Sequence, residues 1–259
     1  MKIVLIGSGN VASQLGVALK QSGQIILQVY SRQVKHANGL AERLGCDAID
    51  KFSSLTLHAD LYLICVSDQA IEEIILQLPK GLSGVVAHTS GSTALSIFSE
   101  SGHPGRYGVF YPVQTFSKAK AVDFKTIPLA LEASDPETYT VLSGLAEMLS
   151  EQVFPCDSKQ REAIHIAAVF ACNFSNYLYS VADLILQQHG LSFDLMRPLI
   201  LETAKKAQHF APATVQTGPA VRKDLKIVKQ HLEFLEREQP FDPSIRQLYA
   251  LISEILAGK

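Results

Sequence analysis

The amino terminus constrains the fold more than any other segment. It reads Lys2-Ile-Val-Leu-Ile-Gly7-Ser-Gly9-Asn-Val-Ala12. A short apolar run feeds straight into Gly-x-Gly-x-x-Ala, and residues 11–21 continue with helical character. Each residue type has a physical reason for its place. Gly7 permits a tight turn out of a strand, Gly9 lets a pyrophosphate approach bare backbone, and Ala12 lets the helix pack close to the strand. The helix start then offers unpaired N–H groups and a partial positive charge to phosphates. A second strand opens at Ile25 after Gly23, so the pattern sits in a βαβ frame rather than in an ordinary glycine turn. Gly7, Ser8, Gly9, Asn10, Val11 and Ala12 are the first candidates for contact with a bound dinucleotide.

The end of the second strand bears on which dinucleotide. An NAD site places an acid there for the ribose hydroxyls. This chain has Tyr30-Ser31-Arg32, and no Asp or Glu occurs before Glu42. Arg32 can pair with a 2′-phosphate and Ser31 can hydrogen-bond it, which favours NADP over NAD. Residues 1–41 hold Lys2, Lys20, Arg32 and Lys35 and no acids, against a whole-chain charge of -2. This basic segment coincides with the expected anion site.

Two more segments end apolar runs and so belong at the carboxyl edge of the sheet, where open α/β sheets bind ligands. At Cys65-Val66-Ser67-Asp68, Val66 and Ser67 are candidates for the cofactor, while Ser67 and Asp68 also suit a helix cap before Gln69. At His88-Thr-Ser-Gly-Ser92, expected to face the nicotinamide, Ser90 is a candidate catalytic hydroxyl and Gly91 leaves room for substrate. Ser92 or Thr93 equally suits an N-cap there.

The rest of the first two-thirds repeats this alternation. Apolar runs fall at 3–6, 25–30, 61–66, 85–88, 108–111 and 129–132, with helical stretches such as 69–77 between them. Continuous apolar runs fit strands covered on both faces, hence a doubly wound parallel sheet in an α/β domain. The character changes after Phe154-Pro155. Residues 161–189 contain no proline or glycine, which predicts one long helix ending at Gly190. Ser192 caps another that Pro198 should kink or interrupt. Residues 224–236 read as a further helix, and Asp242-Pro243 opens a last one to about Leu256. The expected division is a Rossmann domain over 1–154 and an all-helical domain over 155–259.

Composition narrows the function classes. With 23 basic and 25 acidic residues, a nucleic-acid partner is not expected. Four cysteines without metal-ligand spacing argue against a zinc ribbon, any other metal site and a disulfide scaffold. The opening apolar run is too short for a signal peptide, so a cytoplasmic setting is expected. Residues 163–182 lack formal charge, but His165, Asn173, Ser175, Asn176 and Ser180 make a core helix the better reading than a membrane span.

With these residues assembled, the chain resembles bacterial proteins that join a Rossmann domain of the NADP-oxidoreductase type to a helical domain of unassigned function. They are relatives of pyrroline-5-carboxylate reductase, the deazaflavin-dependent NADP reductases and the β-hydroxyacid dehydrogenases. The matching segments are Ile6-Gly-Ser-Gly-Asn-Val-Ala12 and His88-Thr-Ser-Gly91, then Tyr111-Pro-Val-Gln-Thr-Phe116, Ile164-His-Ile-Ala-Ala-Val-Phe-Ala-Cys-Asn173 and Thr217-Gly-Pro-Ala-Val-Arg-Lys-Asp224. The group often has His-Pro where this chain has Tyr111-Pro112. The resemblance implies an active site between the Rossmann domain and the first long helix, and a homodimer formed through the helical domain. His165 and Asn173 lie on that helix, eight residues and about 80° of rotation apart, so both can face one cleft. His165 is the candidate acid and Asn173 the candidate orienting group, the alternative being satisfied core residues. Thr217-Gly-Pro with Arg222 and Asp224 can form a loop over the site. Arg222 either forks a substrate carboxylate or pairs with Asp224.

The expected activity is NADP(H)-dependent hydride transfer to or from a C=O or C=N bond of a small polar substrate. A non-catalytic NADP(H) sensor is the rival, since no catalytic lysine or tyrosine constellation is evident.

Overall fold

The structure, a computed structural model, describes residues 1–237 and 242–258. Contacts divide the chain into two units, Met1–Asn173 and Phe174–Lys259.

The first unit is built on one eight-stranded sheet. Its strands are β1 (Lys2–Ile6), β2 (Ile25–Tyr30), β3 (Asp47–Ile49), β4 (Leu61–Ile64), β5 (Val85–His88), β6 (Tyr107–Pro112), β7 (Leu129–Ala133) and β8 (Val153–Pro155). Their order is β3-β2-β1-β4-β5-β6-β7-β8. All pairs are parallel except β6 with β7, which run antiparallel over five residue pairs. Short β3 and β8 carry no long apolar run, so hydropathy alone did not predict them. The order reverses between β1 and β4, and that switch point opens a crevice beyond their carboxyl ends.

The continuous apolar runs are explained by two cores. In β1, Ile3 and Leu5 point into one layer while Val4 and Ile6 point into the other, and all four are fully buried. The first layer receives α1 (Asn10–Gln21), which buries Ala12, Leu15, Gly16 and Leu19 along one face. The second receives α3 (Asp68–Gln77) through Ile71, Ile74 and Ile75. Three more helices, α2 (Val34–Leu44), α4 (Ile97–Glu100) and α5 (Pro136–Leu149), complete the alternation of sheet and helix.

A helix α6 (Ser158–Ala168) follows β8. A capping box fixes its start, with the Asp157 carboxylate accepting from Gln160 N and the Gln160 side chain accepting from Asp157 N. The sequence pattern had predicted one unbroken helix from Arg161 to His189. Instead α6 passes into a π-helical segment, Val169–Phe174, before α7 (Ser175–Gln188). β8 ends at Pro155, and contacts group residues 158–173 with the sheet.

The second unit is helical: α7, α8 (Arg197–His209), α9 (Leu225–Arg237) and α10 (Pro243–Ala257). Gly190 takes φ 68° just beyond α7, as a left-handed helix stop requires. Pro198 does not kink its helix. It lies in the first turn of α8, where no intrahelical N–H is needed, and Ser192 caps a separate 3-10 turn, Phe193–Leu195. Asp242 Oδ1 accepts from Ser244 N to cap α10. Among the described residues, no helix is long and apolar enough to cross a membrane.

Candidate functional site

Two adjoining clefts occupy the carboxyl edge of the first unit. One, of about 410 Å³, is lined by Gly7 to Val11, Tyr30 to Arg32, Cys65 to Ser67, and Ala70, Glu73, Ile74 and Gln77 of α3. The other, of about 720 Å³, runs past Thr89, Ser90 and Gly91, the loop after β6, and one side of α6 with its π segment. They share Asn10, Val11 and Val66.

The first cleft is a backbone cradle. Gly7 has φ 126°, and a Cβ there would lie 2.2 Å from the Cys65 carbonyl oxygen, so only glycine fits. A Cβ on Gly9 would meet nothing within 4 Å, so the space over Gly9 is open for a ligand. Gly9 is the N-cap of α1 without a side-chain cap, and no acid lies in the first turn. Those free N–H groups face the cleft, and a dinucleotide pyrophosphate fits them. The Asn10 side chain is committed elsewhere, since Nδ2 donates to Phe116 O at 2.9 Å. Together with Gln14, which donates to Ser117 O and Lys120 O, it pins the loop after β6 over α1.

Arg32 is exposed and makes no hydrogen bond or ion pair with a described residue. Of the four basic residues in the acid-free segment, only Arg32 lines this cleft; Lys20 Nζ donates instead to Arg43 O. The basic surplus there is therefore one cation and not a patch. α2 begins after Gln33 without a side-chain cap or acid in its first turn, adding free N–H groups beside Ser31 and Arg32. Ser67 is the N-cap of α3 by backbone position, but its hydroxyl makes no cap bond and lines the cleft.

The second cleft is assembled from side chains. Tyr111 Oη lies 3.4 Å from His165 Nδ1, with the rings edge-on. Both pack on Gly91, where a Cβ would sit 2.7 Å from His165 Nδ1 and 2.8 Å from Tyr111 Cζ. The room that Gly91 leaves is thus taken by these two rings. Burial raises the Tyr111 pKa, the Asp68 carboxylate raises it further, and Arg161 opposes them. Ser90 Oγ accepts from Ser92 N at 3.1 Å and Thr93 N at 2.9 Å. Ser90 is therefore the residue that caps this turn, in place of Ser92 or Thr93. Ser92 Oγ donates to Asp68 Oδ2 at 2.5 Å.

Thr89, Ser90 and Gly91 of the β5 end line the cleft, while His88 does not. It is fully buried and stacks on Phe98 with centroids 5.6 Å apart. Nδ1 accepts from Ser90 N, and burial pushes its pKa down to about 3, so the ring is neutral.

His165 is half-buried and Asn173 exposed, and both line the second cleft. Their helix is held by a buried cation that sequence reasoning missed. Arg161, one turn before His165, is 1 % exposed and pairs with Glu132 of β7. It also donates to Thr93 O at 2.6 Å. Glu132 accepts from Ser158 N and Ser158 Oγ as well. This network ties α6, β7 and the Ser90 turn together, fixing both sides of the His165–Gly91 contact. The Asp157-x-x-Gln160 capping pattern was the signal that could have located it.

In the second unit, Asp224 does not pair with Arg222 among the described residues. Its Oδ1 accepts from Ile227 N at 3.3 Å and caps α9.

A doubly wound sheet whose switch point carries a glycine cradle and a free arginine defines a Rossmann-type dinucleotide-binding protein. Residues 2–87 match the family described as NADP oxidoreductase, coenzyme F420-dependent, and residues 127–255 match a domain of unknown function, DUF2520. A Bacteroides fragilis protein provisionally named an NADP oxidoreductase is 40 % identical over 100 % of this chain and 98 % of its own, with TM-score 0.93. The chain belongs to this NADP oxidoreductase family. Its fold is shared with a pyrroline-5-carboxylate reductase from Coxiella burnetii (18 % identity, 99 % and 96 % covered, TM-score 0.59). It is shared also with a reductive aminase from Aspergillus terreus, solved with NADPH and ethyl-5-oxohexanoate (16 % identity, 98 % and 92 % covered, TM-score 0.68). A search of curated proteins found no match.

Proposed function

We propose that the protein is an NADP(H)-dependent oxidoreductase acting on a C=O or C=N bond of a small substrate. The observation that carries this is the junction of the two clefts through Asn10, Val11 and Val66. A dinucleotide laid across the first cleft reaches the second at this junction. Gly7, Gly9, Ala12 and the α1 N–H groups take the pyrophosphate, with Ser8 beside them. Arg32 and Ser31 take the 2′-phosphate and so favour NADP(H) over NAD(H). Val66 and Ser67 flank the nicotinamide half. Glu73 and Gln77, hydrogen-bonded to each other at 3.1 Å, suit the hydrogen-bonding edge of adenine.

When bound, NADPH supplies a hydride. The chain's own residues then supply a proton and hold the acceptor. With the Tyr111 hydroxyl donating to His165 Nδ1, Nε2 carries the ring proton and is the donor to the substrate. Ser90 has spent its acceptor capacity on two backbone N–H groups, so its O–H can only donate, and its neighbour at 3.5 Å is Ser92 Oγ, a long contact that a substrate oxygen or nitrogen would replace. Asn173 adds an amide to orient the substrate.

The helical unit exposes Leu184, Leu251, Ile252 and Ile255, which supports a homodimer through this unit. Four free cysteines and a reliance on NADPH suit the cytoplasm.

The test is NADPH titration followed by turnover on a panel of keto acids, imines and aldehydes. NADPH binding with saturable loss of its absorbance is expected on at least one substrate. His165→Ala should lower kcat by about a hundredfold while NADPH affinity holds. Binding without turnover on any member, with a partner's affinity changing on NADPH addition, selects the sensor instead.

A further inference from the structure

The charge of the second cleft says what enters it. Among the described residues that line it, Asp68 alone carries a fixed charge, and none is lysine or arginine. The nearest buried cation, Arg161, is paired with Glu132 behind the wall. Asp68 lies in the first turn of α3, which favours its negative charge, and one hydrogen bond from Ser92 holds it. Its field reaches the Tyr111 hydroxyl, since it raises the Tyr111 pKa. An anionic substrate entering here meets a carboxylate and no compensating cation among the described lining residues, which costs affinity.

We infer that this cleft selects a positively charged substrate, a protonated imine or an amine-bearing carbonyl, through Asp68, and disfavours keto acids and other carboxylates. This rests on the oxidoreductase reading above and names its substrate class. It also bears on coenzyme F420, which the family's description mentions. That deazaflavin has a phosphate- and carboxylate-bearing tail, and the lining holds no cation for it. The residues do not fit it, and no step here runs through it.

The chemistry balances with the groups at hand. An imine protonated in water enters as its iminium and needs no proton from the chain, and Asp68 stabilises that charge. Hydride delivered to the iminium carbon then gives a neutral amine with no further proton needed at that step. The amine takes a proton from water on release. A carbonyl would instead need its proton as the hydride arrives.

The experiment uses three unreactive probes of one ring size: pyrrolidine, cyclopentanol and cyclopentanecarboxylate. Each is titrated calorimetrically into the NADPH-loaded protein near neutral pH. Pyrrolidine should bind at least about tenfold more tightly than cyclopentanecarboxylate, with cyclopentanol between, since one charge-assisted contact is worth about that factor. Asp68→Asn keeps an acceptor for Ser92 and should bring the three within about twofold, leaving NADPH affinity unchanged. Equal or tighter binding of the carboxylate overturns the inference. So does a cation preference that survives in Asp68→Asn, or no pyrrolidine binding at all. Failure to bind NADPH sinks the oxidoreductase reading separately, and the same titrations without NADPH then still read the charge preference.

Discussion

The first cleft is walled by backbone and the second by side chains, although the two touch at Asn10, Val11 and Val66. Backbone N–H groups at the start of α1 recognise any pyrophosphate, whatever the rest of the ligand. Their geometry follows from two glycines and a strand end that lie within a few residues of one another. In the second cleft, recognition depends on Asp68, Ser90, Tyr111, His165 and Asn173, which four separate stretches of chain bring together. A cofactor shared by many reactions suits the first construction. A substrate that distinguishes one reaction from another suits the second.

The sharpest way to break this comparison is to add one methyl group to each cleft. In Gly9→Ala the Cβ meets no protein atom, so thermal stability should hold, yet NADPH affinity should fall by about a hundredfold because the phosphate site is filled. In Gly91→Ala the Cβ strikes His165 and Tyr111, so kcat should fall while NADPH affinity stays within about twofold. Reversed outcomes in calorimetry and initial-rate kinetics would show that the clefts divide the work differently. Next in size is Arg32→Ala, which should weaken NADPH by about ten- to thirtyfold and leave NADH unchanged. Equal losses for both cofactors would remove Arg32 from the 2′-phosphate.

The smallest effect concerns the support behind the second cleft. His88 has its folded pKa lowered to about 3, against an ordinary 6.5. Below the ordinary value the unfolded chain takes up a proton that the folded chain does not. Stability therefore declines as pH falls through that window, by at most about 1.4 kcal/mol per pH unit from this group. NMR should find the His88 ring resonances at their neutral positions down to about pH 4, still above that folded pKa. Titration with a midpoint near 6.5 would mean that the ring is solvated and that the turn carrying Ser90 is looser than described.

This division also governs how much could be read from the chain in advance. The βαβ frame, the glycine turn and the absence of an acid after β2 are local patterns, and each has a direct counterpart in the structure. The run after β4 was legible as a cleft edge for the same reason. Tyr111 was noticed only as a departure from a related pattern, because nothing near it in sequence points to His165, 54 residues away. Arg161 looked like any arginine at a helix start until Glu132 and Thr93 closed on it. Asp68 was read as a helix cap, since its charge acquires meaning only when the other walls prove to hold no cation. For His88, a strand end fixes where the residue sits but not which layer its side chain enters.

The π-helical segment Val169–Phe174 bears on how such a site tolerates editing of its gene. A π turn takes more residues than an α turn, so each advances the helix by fewer degrees. From His165 to Asn173 the chain makes closer to two whole turns than an α-helix of equal length would, drawing the two side chains toward one line. Removing a single codon within 169–172 would restore α-helical winding, and the seven remaining steps from the imidazole to the amide would make about 700°, roughly 20° short of two turns. The amide would stay on the imidazole's side of the helix. The π turn thus takes up one residue of extra length without turning the two side chains apart.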